Sequence, residues 1–164
     1  GALYVREGSM LEPLIHGAGH EYGRRAGTES ALLAAALGEA CELACDLSGM
    51  PKTASLRDRL WLGLKECCGD RVVFNGHPIE RLPNTLNVSF LDHQAYELLA
   101  KLPELAVSTG SACHAGRVEI SPVLQAMGVS PQAGAGAVRF SLGRTTTAEE
   151  IETAIERLTR CLAT

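Results

Sequence analysis

No stretch of this 164-residue chain approaches the ~18 consecutive apolar residues that a membrane-spanning helix requires. The closest run, residues 31–41, is interrupted by Gly38 and Glu39. Nor is there an excess of positive charge: 15 basic residues face 19 acidic ones, a net charge of -4, which argues against a nucleic-acid-binding surface as the main business. No secretory signal precedes the six cysteines, at 41, 45, 67, 68, 113 and 161. They read as reduced thiols of a cytosol-like compartment, not as a disulfide framework. Cys41-x3-Cys45 and His16-x3-His20 are close-spaced pairs, yet no further pair completes a four-ligand zinc pattern, so no metal site is expected. Internal repeats are absent, and so is low complexity beyond the alanines of 34–36. The first residue is Gly1, not Met, which suggests a chain that is part of something longer.

With 46% hydrophobic and 21% charged residues, the composition is that of an ordinary globular chain, and its length fits one domain or a domain plus a piece of another. The opening GALYVRE alternates weakly, as a single strand would. Five glycines at 8, 17, 19, 23 and 27 then mark a long loop, and long loops inside domains are usually functional or disordered. From Thr28 the apolar spacing turns helical through Leu33, Leu37, Cys41, Ala44 and Leu47, with Gly49 and Pro51 as its stop. A second helix follows from about Thr53, with Leu56, Leu60, Leu64 and Cys67 on one face and Gly69 at its end.

Beyond it, short strands are expected at 71–74, in NTLNVSF, at 105–108 and at 137–142, with helices at 94–102, 121–128 and from Thr147. A loop occupies 109–120 and another 130–136. The segment from Thr147 to Glu150 is a capping box. The order implies an α+β fold, one small sheet covered by helices, in residues 51–164. Residues 1–50 look like a strand, a loop and a long helix belonging to a larger domain.

Three residues stand out chemically. Cys113 sits among small residues in STGSACHAG and precedes His114; it is either a reactive thiolate or a loop cysteine of no consequence. Thr28, after Arg24 and Arg25, lies where a glycine-rich loop enters a helix, which suits a phosphate but equally suits a plain helix cap. Arg139 occupies the polar side of an otherwise apolar strand. Its guanidinium could grip a ligand carboxylate or form a structural ion pair.

Together HGAGHEYGRRAGTE, RLPNTLNVSF, STGSACHAG, SPVLQAMGV and VRFSLGRTTTAEEI, in this order, resemble the NifS-type cysteine desulfurases of the aminotransferase class V group, over essentially the whole chain. The resemblance implies the C-terminal domain of a fold-type I pyridoxal-phosphate enzyme. It further implies that Cys113 takes sulfur from L-cysteine as a persulfide, that Arg139 binds the substrate carboxylate, and that Thr28 reaches the cofactor phosphate of the neighbouring subunit in a homodimer. The 26 residues from Cys113 to Arg139 match the branch with a long, mobile cysteine loop, able to pass sulfur to an acceptor protein such as an iron–sulfur scaffold. In that group the lysine holding the cofactor precedes the GALY-like segment, so the chain alone is expected to be inactive. A cytoplasmic location is the expectation that the reduced cysteines carry. Selenocysteine lyase, which shares the arginine and the cysteine loop, is the neighbouring alternative; a non-catalytic persulfide carrier or docking module is the alternative of another class.

Overall fold

The structure, a computed structural model, describes residues 1–109, 113–114, 117–118 and 120–162, with backbone alone at 113–114 and 117–118. The chain divides into two compact units, Gly1–Leu47 and Ser48–Thr164.

In the first unit, Gly1–Glu7 form no strand: among the described residues no strand pairs with them, and an alternating segment without a partner forms no ladder. The glycine-rich loop folds on itself. Ala26 N–H donates to the Ile15 carbonyl at 3.1 Å, and a side chain at Gly17 would strike the Ala26 methyl. One short turn, α1 (His20–Gly23), carries left-handed backbone at Glu21 and Tyr22, φ 51° and 58°. The long helix α2 (Ala31–Cys45) begins later than Thr28, because Ser30 is the residue whose hydroxyl accepts from Leu33 N–H. It ends earlier than Gly49, at Cys45. None of its residues is buried, and Leu32, Leu33 and Leu43 lie open.

The second unit opens with α3 (Met50–Cys68), which starts with Pro51 in its first turn and stops at Gly69, whose φ of 59° suits glycine. Its buried stripe is Leu56, Leu60, Leu64 and Cys68. The i+4 ridge continues to the end of the helix, so Cys68 takes the inward place that spacing assigned to Cys67, which is exposed. Then come β1 (Val72–Phe74), β2 (Thr85–Phe90), α4 (Ala95–Ala100), β3 (Ser108–Thr109), β4 (Cys113–His114), β5 (Arg117–Val118), α5 (Pro122–Ala126), α6 (Pro131–Ala135), β6 (Ala137–Ser141) and α7 (Ala148–Leu162). Residues 130–136, expected as loop, contain α6: Ser130 accepts from Ala133 N–H and Pro131 supplies the first helical φ.

The main sheet has the order β1-β2-β6-β3 with every neighbour antiparallel. Because strand side chains alternate, Leu86, Val88, Phe90, Val138 and Phe140 all enter one core with Leu60, Leu64, Ile151 and Leu158 of α3 and α7. The two helices approach closely where Gly63 meets Ile155, which leaves no room for a Cβ. The capping box forms as the sequence implies: Thr147 N–H donates to Glu150 Oε2 at 2.8 Å and Glu150 N–H to Thr147 Oγ1 at 3.2 Å. The 77–83 turn is tied to α3 through Asp58, which accepts from Arg57 at 2.9 Å and Arg81 at 2.6 Å. Among the described residues, no helix is long and apolar enough to cross a membrane.

Candidate functional site

On the face of the sheet away from α3 and α7, polar side chains line up in a row across the strands. Arg139 of β6 stands opposite Asn87 of β2 on one side and Ser108 of β3 on the other. Asn75, just past β1, extends the row: its N–H donates to the Asn87 carbonyl at 3.0 Å. Its side-chain amide donates to Asn87 Oδ1 and to Ser89 Oγ, both at 2.8 Å. Asn75 and Ser89 are buried, Asn87 and Ser108 half-buried, and Arg139 exposed. Among the described residues Arg139 has no carboxylate within ion-pair distance, so the structural ion pair that was open to it does not form there. The result is a guanidinium held on a central strand, unpaired and facing outward. Arg139 was legible as a candidate; Asn87 and Asn75 were not. Their signal was asparagine inside the central strand β2 and directly after the edge strand β1, where that residue is depleted.

Ser108 also fixes how far Cys113 can be. Cys113 is five positions further along the chain, and five extended steps span at most roughly 17 Å, so the Cys113 backbone is tethered near the Arg139 strand by covalent length alone. Cys113 pairs with Val118 and His114 with Arg117 in the small β4–β5 ladder. The Cys113 thiol, and the expected mobility of 109–120, lie outside what the structure describes.

Thr28 lies in the first unit, three residues ahead of α2, and lines a cleft of about 1240 Å³ together with Arg24, Arg25 and Ser30. Among the described residues neither arginine is in an ion pair, although Glu21 and Glu29 border the same cleft; Arg24 lies over the Tyr22 ring, 5.8 Å from its centroid. Two guanidinium groups without a carboxylate partner among the described residues, and a hydroxyl, suit a phosphate by charge and by donor count. Among the described residues no three His, Cys, Asp or Glu side chains gather as metal ligands. Cys41, Cys45, Cys67 and Cys68 are free thiols. Cys68 is the one with a shifted acidity: burial raises its pKa first, the neighbouring Cys67 adds to this, and Arg71 opposes it.

The family model for aminotransferase class-V proteins matches residues 1–153. The chain belongs to the aminotransferase class-V family. Among class-V relatives, cysteine desulfurase IscS of Serratia proteamaculans is 44% identical over 160 residues, which are 95% of this chain and 39% of that protein. Cysteine desulfurase IscS of Shewanella baltica is 42% identical over 166 residues, 99% of this chain and 41% of the relative. A solved structure of a NifS-like protein from Rickettsia africae superimposes with a TM-score of 0.77 at 29% identity, over 95% of this chain and 41% of that one. The chain thus spans about two-fifths of the length of the curated relatives it matches. The α+β architecture with its small open sheet is that of the NifS-like fold.

Proposed function

We propose that these residues form the substrate-closing portion of a cysteine desulfurase, which converts L-cysteine to L-alanine and retains the sulfur. The observation that carries this reading is Arg139: an unpaired guanidinium on a rigid central strand, flanked by the segment that leads to Cys113. In this reading Arg139 binds the substrate carboxylate and so fixes the amino acid relative to the cysteine loop. Pyridoxal phosphate, when bound, supplies the electron sink that labilises the bonds to the substrate's carbons. Thr28, with Arg24 and Arg25, would hold its phosphate, across a homodimer as in the resemblance above.

The thiolate of Cys113 attacks the substrate sulfur. A sulfur–sulfur bond forms, the carbon–sulfur bond breaks, its electron pair stays with the substrate carbon, and protonation there completes alanine. The persulfide on Cys113 is then passed to an acceptor, for which an iron–sulfur scaffold protein is the proposed class, in the cytoplasm. Activity in this reading also needs the cofactor-holding lysine from outside these 164 residues.

Alanine release from L-cysteine by the full-length protein, loaded with cofactor, tests the proposal. Wild type is expected to release alanine, Cys113→Ser to bind cofactor but form no persulfide, and residues 1–164 alone to release none. Equal alanine release by the serine variant refutes the role of Cys113; no release by wild type leaves the persulfide-carrier reading.

A further inference from the structure

The polar row on this face has a direction. Asn87 presents its carbonyl oxygen to the Asn75 amide at 2.8 Å, and a second bond of 2.8 Å from Asn75 to buried Ser89 holds that donor in place. An amide group is planar, with oxygen and nitrogen on opposite sides of the carbon. Turning Oδ1 toward β1 therefore leaves the Asn87 NH2 for the side where Arg139 stands, directly across the ladder. Among the described residues this NH2 has no acceptor, and neither does the guanidinium. Opposed strand residues have Cβ atoms roughly 5 Å apart, so the two donors are neighbours that cannot satisfy each other. Ser108, on the other flank of Arg139, has its hydroxyl proton on the Thr109 carbonyl at 3.1 Å and adds no donor. What the pair lacks is an acceptor with two oxygens and a negative charge.

We propose that Asn87 is a second donor to the substrate carboxylate, working beside Arg139, and that Asn75 is the positioning residue that sets which end of the Asn87 amide faces it. The inference rests on the desulfurase reading and deepens it: recognition of the substrate's carboxylate is divided between β2 and β6. An exchange of Asn87 oxygen and nitrogen would place a carbonyl beside Arg139, where it would compete for the guanidinium. The Asn75–Ser89 bond opposes this exchange.

The test is steady-state kinetics of the full-length, cofactor-loaded enzyme. Asn87→Ala is expected to raise KM for L-cysteine about tenfold, the scale of one hydrogen bond to a charged group, with kcat unchanged. The isosteric Asn87→Asp, which sets a carboxylate against Arg139, raises KM further. Inhibition by cysteamine, which has the thiol and amine but no carboxylate, stays at the wild-type level in both. That pattern separates carboxylate recognition from a structural role, which would weaken L-cysteine and cysteamine together. Unchanged KM in both Asn87 variants, or a parallel loss for L-cysteine and cysteamine, overturns the proposal while Arg139→Ala still raises KM. Unchanged KM in Arg139→Ala as well overturns the desulfurase reading on which it rests.

Discussion

Arg139 and Cys68 show how neighbouring residue types are given opposite tasks by burial. Arg139 is exposed on its strand, whereas Cys68, at the end of α3, is packed into the core with its pKa raised. A raised thiol pKa means that the folded state keeps its proton to higher pH than the unfolded state does. The contribution of Cys68 to stability is then complete below the unfolded thiol's pKa, about 8.5, and is lost as pH rises from there through the folded value. Urea unfolding as a function of pH is expected to show this alkaline loss, and Cys68→Ala to lack that part of it. Iodoacetamide at neutral pH should label exposed Cys67 well before Cys68; equal rates would contradict the assigned burial. Spacing placed Cys67 inward because i+3 and i+4 steps are equally helical. Only the packing of α3 into the core selects between them.

At the scale of elements, signals that combine several residues were legible and single weak ones were not. Thr147 and Glu150 announce α7 because two reciprocal hydrogen bonds require those types at that spacing, and Leu86, Val88 and Phe90 announce β2 by strict alternation. Residues 131–135 form α6 although Gly134 and Gly136 argue locally for loop. Tertiary contacts explain both: a Cβ at Gly134 would overlap Ile120, and one at Gly136 would overlap the Phe90 carbonyl oxygen. Gly136 also accepts from Phe90 N–H at 3.0 Å, so it joins the end of β2 to the start of β6. Gly136→Ala is expected to cost about 1–3 kcal/mol through this overlap, and Thr147→Ala about 1 kcal/mol through the lost cap. Chemical denaturation measures both; a neutral Gly136→Ala would mean that the backbone there yields freely. At residues 1–7 the pattern of a strand is present, but a ladder needs a second edge, which no pattern within one segment can supply.

Across the whole molecule, the residues that the class-V likeness marks as chemical fall in two units. Arg139 and Cys113 belong to the unit with the antiparallel sheet, Thr28 to the unit carrying the glycine-rich loop and α2. The sheet unit was largely readable beforehand, because its strands and helices alternate with clear caps. The asparagine row was not, since the register that sets Asn75, Asn87, Arg139 and Ser108 side by side joins four separate segments. The exposed leucines of α2 have the same origin: in a chain that spans about two-fifths of its relatives' length, an apolar helix need not find its cover within the described residues.

Mass spectrometric mapping of the six cysteines tests the central claim most directly, after the full-length, cofactor-loaded protein has met L-cysteine and been alkylated. The account predicts one additional sulfur atom on Cys113 and none on Cys41, Cys45, Cys67, Cys68 or Cys161. Additional sulfur on one of those five with Cys113 unmodified, or on no cysteine while alanine is released, would contradict it.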